Sequence, residues 1–154
     1  MTIEPGTLAP AFDLATDSGG RVSSADLRGK TVVLYFYPKA STPGCTTEAL
    51  DFTALGAEFA AANAVVIGVS RDPVKALDRF KTKQSLGVIL ASDEEGAVTE
   101  AYGVWGEKKL YGKVYMGVER ATFLIDAEGV VRQTWRKVAV KGHAQAVLDA
   151  VQAL

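Results

Sequence analysis

The polar and apolar positions of this chain change period several times, and the changes divide it into elements. Residues 31–37, TVVLYFY, form an unbroken β-branched and aromatic run, the pattern of a central parallel strand covered on both faces. After the break KASTPGC, apolar residues recur at helical spacing from Pro43 through Ala49, Phe52, Leu55, Phe59 and Ala62. This predicts one helix of about five turns, ended by Asn63 and Ala64. VVIGVS, residues 65–70, is a second β-branched run, so strand, helix and strand make one right-handed crossover unit. Asp72 then reads as the N-cap, and Pro73 as the first residue, of a helix whose stripe is Val74, Leu77 and Phe80. VILAS, residues 88–92, is a weaker strand, followed by a short helix over 93–102 with Ser92 or Asp93 as its cap.

Turn formers dominate residues 1–30, where Pro5, Gly6, Pro10, Gly19, Gly20 and Gly29 leave room for a small hairpin around Phe12, Leu14 and Val22. One helical turn over 23–27, capped by Ser23 or Ser24, leads out of it. Residues 103–117 mix Gly, aromatic and Lys residues as an irregular excursion or hairpin and carry no assigned element. ATFLID and VVRQTW, either side of Ala127, Glu128 and Gly129, read as an antiparallel hairpin. A last helix over 142–153 places Ala146, Val147, Ala150 and Val151 on one face. The expected fold class is α/β, a central mixed sheet flanked by helices. With no repeat and no linker, residues 1–154 read as a single domain.

Composition narrows the function classes. The 17 Lys and Arg against 18 Asp and Glu give a net charge of -1, which leaves no basic surplus for nucleic acid or an anionic membrane. The N-terminus lacks a basic start followed by an apolar run, and no stretch offers the ~20 apolar residues of a membrane helix. A single cysteine permits neither an internal disulfide nor a zinc site of several thiolates, so the expectation is a reducing, cytoplasmic setting and no metal.

That cysteine is placed where chemistry is possible. Pro38-Lys39-Ala40-Ser41-Thr42-Pro43-Gly44-Cys45-Thr46-Thr47-Glu48 leaves the carboxyl end of the predicted central strand and opens the long helix, the usual position of sites in open α/β sheets. With Thr42 as N-cap and Pro43 as first helical residue, Cys45 lies in the first turn, where free backbone N–H groups and the helix dipole favour a thiolate. The competing reading is a small buried apolar cysteine. His143, the only histidine, has no cysteine or carboxylate cluster in sequence around it and reads as solvent-facing near a helix start.

The segment YFYPKxxTPGCTTEA closely resembles the active-site segment of the peroxiredoxins, in their bacterioferritin comigratory protein or Q branch. Tyr111-Gly112-Lys113, Tyr115-Met116-Gly117 and the run from Arg120 to Asp126 resemble the same branch in the same order. The resemblance implies a thioredoxin-like fold with an N-terminal extension, and reduction of hydrogen peroxide and organic hydroperoxides without a cofactor. It assigns Pro38, Thr42, Cys45 and Arg120 to the catalytic set, with Cys45 as nucleophile and Arg120, 75 residues further along, as its cation. Thr42 would donate to the peroxide, Pro38 would shield the sulfenic acid, and the Gly44 and Cys45 amides would take up developing charge. Gly44, Glu48 and Tyr37 are the substrate-side candidates. Glu48 is also placed to orient Arg120, and Tyr37 to line the entrance. A monomer is the implied state, with a dimer as the alternative.

Many relatives carry a second cysteine, five residues after the first or in the following helix. Here those places hold Leu50 and the cysteine-free stretch 80–85. The sulfenic acid must therefore be resolved by an external thiol, whether a thioredoxin, a glutaredoxin or glutathione, or by Cys45 of another copy. A redox sensor or binding module, in which Cys45 oxidation alters a partner contact, is the alternative function, and sustained turnover separates the two. A thioredoxin-type disulfide oxidoreductase is excluded by the missing Cys-x-x-Cys.

Overall fold

Burial of alternate positions along one strand organises the molecule. In the computed structural model, which describes residues 3–154, β3 (Thr31–Phe36) sends Val32, Leu34 and Phe36 into one core and Val33 and Tyr35 into the other. A strand apolar at every position can satisfy that pattern only inside a sheet covered on both faces. The seven strands run in the order β2-β1-β5-β4-β3-β8-β9. β4 (Ala64–Ser70) and β5 (Ile89–Ser92) are parallel to β3, whereas β8 (Ala121–Ile125), β9 (Val131–Trp135), β1 (Asp13–Thr16) and β2 (Arg21–Ser23) pair antiparallel. Met1 and Thr2, part of the expected domain, lie outside the described residues.

Helices α1 (Pro43–Ala54), α2 (Gly56–Ala61), α3 (Val74–Gln84) and α5 (His143–Gln152) contribute to the core on the Val33 and Tyr35 face. Phe52 is fully buried there, stacked on Tyr35 with ring centroids 4.7 Å apart, and its truncation to Ala would cost about 3–5 kcal/mol. The opposite face is closed by α4 (Ala97–Ala101), by Tyr102 and by the N-terminal segment through Ile3 and Phe12. There the Tyr102 hydroxyl donates to the Pro10 carbonyl at 2.7 Å.

The structure corrects four sequence expectations. The predicted five-turn helix is two helices, because the chain turns at Leu55 (φ −97°, ψ 10°), whose N–H closes back on the Phe52 carbonyl. Gly56, a poor helix former, starts the second piece, yet Phe52 and Phe59, two turns apart, still meet the same core. Asp72 is not the N-cap of α3. Pro73 occupies that position in extended conformation, and the Asp72 carboxylate is engaged elsewhere. The helix expected over 93–102 begins only at Ala97, although the Asp93 carboxylate does accept from the Val98 and Thr99 amides at 3.1 and 2.7 Å. Residues 103–117, read as an irregular excursion or hairpin with no assigned element, hold all but the last residue of a regular hairpin of β6 (Trp105–Leu110) and β7 (Lys113–Val118), outside the main sheet. Tyr111 and Gly112 close it with φ values of 51° and 77°, as a two-residue turn with both central residues left-handed requires.

One register sets up everything that follows. β3 pairs antiparallel with β8 so that Phe36, the last residue of β3, lies opposite Ala121, the first of β8. The loop that leaves β3 and the residue that precedes β8 therefore emerge at the same edge of the fold.

Candidate active site

The loop after β3 continues the sheet for one residue, Tyr37 N–H donating to the Val69 carbonyl at 3.1 Å, and then turns toward α1. Thr42 is the N-cap residue in extended conformation and Pro43 the first helical residue, as expected. The Thr42 hydroxyl, however, does not cap the helix. It donates to the Lys39 carbonyl at 2.7 Å, so it must swing away from that partner to meet a substrate. The first intrahelical bond runs from the Thr46 amide to the Thr42 carbonyl at 2.9 Å, which leaves the Gly44 and Cys45 amides in the unpaired first turn.

Cys45 is 2% exposed, and Arg120 Nη2 donates to its Sγ at 3.4 Å. Arg120 Nη1 donates to Glu48 Oε1 at 2.6 Å. One guanidinium thus bridges a thiol sulfur and a carboxyl group that lie three residues apart on α1, the geometry for which Arg is suited and Lys is not. Glu48 is 1% exposed and its Oε2 has no hydrogen-bond partner among the described residues. Burial pushes its carboxyl up to about 7, against the pull of Arg120. For Arg120, burial works against the charge, but its contacts with Glu48 and Cys45 outweigh it and raise the guanidinium above its ordinary value. The cation is therefore fixed at every accessible pH.

The backbone carrying Arg120 is itself clamped. Its carbonyl accepts from the Val138 amide at 3.0 Å. The preceding Glu119 holds Arg136 through two contacts of 2.7 and 3.1 Å and accepts from the Lys137 amide at 2.9 Å. Gly44 packs closely against the same guanidinium, since a Cβ there would lie 3.2 Å from Arg120 Nη2.

Not every candidate sits where expected. Pro38 is half-buried at the loop start. Tyr37 is 1% exposed and packs on Tyr35 and Phe80, so it is a core residue and not an entrance wall. Glu48 is closed to solvent and pairs with Arg120, so its side chain is not open to a ligand as a substrate-side group would be. His143 is buried, not solvent-facing. It is 6% exposed, shares a 2.8 Å hydrogen bond with the Thr122 hydroxyl, and meets Phe52 and Trp135 edge to face. Burial, with Arg120 nearby, lowers it to about 4. Its partner Thr122, two residues after Arg120 on β8, lies too far off in sequence to be inferred from the histidine alone. Among the described residues no three His, Cys, Asp or Glu side chains converge as a metal site.

A buried thiol in a helical first turn with a fixed guanidinium on its sulfur can attack a polarised electrophile. Similarity to known proteins specifies the chemistry. The AhpC/TSA family matches residues 5–134, and peroxiredoxin Bcp of Bacillus subtilis strain 168 is 51% identical over 154 residues, spanning 100% of this chain and 96% of that protein. The chain belongs to the AhpC/TSA family. Members of this peroxiredoxin family are thiol-dependent peroxidases. Among solved structures, the Xanthomonas campestris bacterioferritin comigratory protein, studied for alkyl peroxide reduction, superposes with a TM-score of 0.88 at 47% identity, covering 98% of this chain and 96% of that one. A peroxiredoxin Q variant from Xylella fastidiosa gives a TM-score of 0.94 at 37% identity over 99% and 98% of the two chains. The thioredoxin-like fold class expected for this peroxiredoxin is the one observed.

Proposed function

We propose that this peroxiredoxin reduces hydrogen peroxide and organic hydroperoxides by a one-cysteine cycle centred on Cys45. The observation that carries the reading is the Arg120 contact to the Cys45 sulfur. The thiolate attacks the terminal peroxide oxygen, an S–O bond forms, the O–O bond breaks, and its electron pair leaves on the distal oxygen. Cys45 becomes a sulfenic acid and the departing alkoxide or hydroxide takes a proton to give alcohol or water. Arg120 holds the thiolate and polarises the peroxide. The Gly44 and Cys45 amides and a rotated Thr42 hydroxyl meet the charge that moves across the O–O bond. Pro38 limits access of water to the sulfenic acid.

Cys45 is the only thiol in the chain. An external thiol attacks the sulfenic sulfur and expels water, and a second thiol then releases Cys45 as thiolate with formation of the reductant disulfide. Thioredoxin, glutaredoxin or glutathione fills that role in a cytoplasmic setting. The proposed catalytic groups come from one chain, so a monomer is sufficient as the working unit. No helix among the described residues is long and apolar enough to cross a membrane.

The test is the second-order rate of Cys45 oxidation by substoichiometric hydrogen peroxide, with a sulfenic-acid trap and intact mass after rapid quenching. A rate far above that of a free thiol, a trapped adduct, loss of both in Cys45→Ser, and sustained turnover with an added thiol are expected. A rate equal to that of free cysteine would defeat the reading.

A further inference from the structure

Asp72 stands outside the motif that identifies the family, yet its carboxylate reaches into the catalytic loop. Oδ2 accepts from the Ala40 amide at 2.8 Å and from the Ser70 hydroxyl at 2.7 Å. Ala40 is 8% exposed and lies midway between Pro38 and Thr42. Between Tyr37, which still pairs with β4, and the start of α1, the Ala40 amide is the one backbone N–H group, among the described residues, that is hydrogen-bonded to a residue outside the loop.

The carboxylate is in turn fixed from below. The Asp72 amide donates to Ser70 Oγ at 3.3 Å, and the Asp72 carbonyl accepts from Ser92 Oγ at 2.6 Å. Ser70 and Ser92 close β4 and β5 and are paired with each other in the parallel register. The ends of two central strands therefore hold one acceptor in place, and that acceptor holds the middle of a loop containing a left-handed residue, Ser41 (φ 66°). Without the bond the Ala40 amide would be a buried donor with no partner, which the loop can relieve only by moving.

We infer that Asp72 is a positioning residue for peroxide reduction, setting the place of Pro38 and Thr42 through the Ala40 amide. It acts on the peroxide side of the site alone. Cys45 and Arg120 are held independently, by α1 and by the clamp on residues 119–120. This inference rests on the peroxidase reading above, and it separates two properties that a general loss of structure would change together. Loss of the Asp72 contact lowers the rate with peroxide, which needs Thr42 and Pro38 in place. It leaves the rate with an alkylating reagent such as iodoacetamide, which needs only the thiolate.

The experiment compares wild type, Asp72→Asn and Asp72→Ala in both reactions. Asparagine keeps an acceptor for the Ala40 amide, so its peroxide rate should stay within about threefold of wild type, whereas the alanine variant should fall at least about tenfold. The iodoacetamide rates of all three should agree. Equal losses in both reactions, or no loss in Asp72→Ala, would overturn the inference. Hydrogen exchange on the wild-type protein tests the contact independently of any variant folding or any peroxide turnover. The Ala40 amide should be protected well beyond those of Lys39 and Ser41, and an unprotected Ala40 amide overturns the proposal even if the peroxidase reading stands.

Discussion

Replacing Arg120 with Lys retains the charge and removes the fork. In the native site Nη1 lies 2.6 Å from Glu48 Oε1 and Nη2 3.4 Å from Cys45 Sγ, and a single ammonium nitrogen cannot serve both. The carboxylate, 1% exposed and already short of one partner, has the stronger claim on it, so the sulfur loses its donor. A hydrogen bond to a charged group contributes about 1.5–3 kcal/mol, and at about 1.4 kcal/mol per tenfold the oxidation of Cys45 should slow by roughly 10- to 150-fold. Stability should change little, since the buried ion pair survives. In Arg120→Ala, by contrast, Glu48 is left buried without a counterion and is driven to bind a proton. The assay is the quenched-flow oxidation rate with hydrogen peroxide beside a denaturant titration. An Arg120→Lys enzyme within about threefold of wild type would show that charge alone activates the sulfur and that the bridging geometry is incidental.

The same site and its surroundings set three further outcomes. Gly44→Ala places a methyl 3.2 Å from Arg120 Nη2 and should slow peroxide oxidation several-fold with little change in denaturation midpoint; an unchanged rate would mean that the guanidinium yields freely. His143, lowered from 6.5 to about 4, is neutral in the native state and binds fewer protons there than when unfolded. Its contribution is complete above about pH 6.5 and is lost as the pH falls toward 4, on the order of 2 kcal/mol by pH 4.5. The stability difference between wild type and His143→Gln should therefore shrink on acidification, and a difference independent of pH would contradict the buried neutral imidazole. Glu48 has the opposite sign, because its carboxyl is raised from 4.5 to about 7 and the native state keeps its proton longer. Stability present below pH 4.5 is lost as the pH rises through 7, so Glu48→Gln should gain on wild type between pH 4.5 and 8 in denaturant titrations. A gap that stayed constant across that range would argue that the carboxylate is well solvated or fully paired.

The elements legible in the sequence were those whose signal is local. β3 and β4 read as buried strands because nearly every side chain is apolar, and the pair β8 and β9 was announced by a short Gly-containing loop. The start of α1 was legible from Thr42 and Pro43, and with it the place of Cys45. What escaped depended on partners distant along the chain. Asp72 carries the signature of a helix cap, and only the fold reveals that an amide 32 residues earlier claims its carboxylate. His143 looked polar and peripheral because its partner Thr122 and its neighbours Phe52 and Trp135 come from other elements. The break at Leu55 left no trace in the apolar spacing, which continues in phase across it, although Gly56 marked the place. The hairpin of β6 and β7 lacked the usual apolar alternation because most of both strands faces solvent, and Tyr111 is an unusual residue for the first left-handed position of such a turn.

The antiparallel register that sets Phe36 opposite Ala121 also separates the Cys45–Arg120 contact from most of the chain between them. Cys45 and Arg120 are 75 residues apart, yet their approach is fixed by two neighbouring strands and not by the length of what connects them. The intervening β6–β7 hairpin can lengthen, shorten or change its tip without moving the sulfur relative to the guanidinium. The fold thus works as a fixed gauge with a replaceable attachment, where a change of surface leaves the sulfur-to-guanidinium distance as it is.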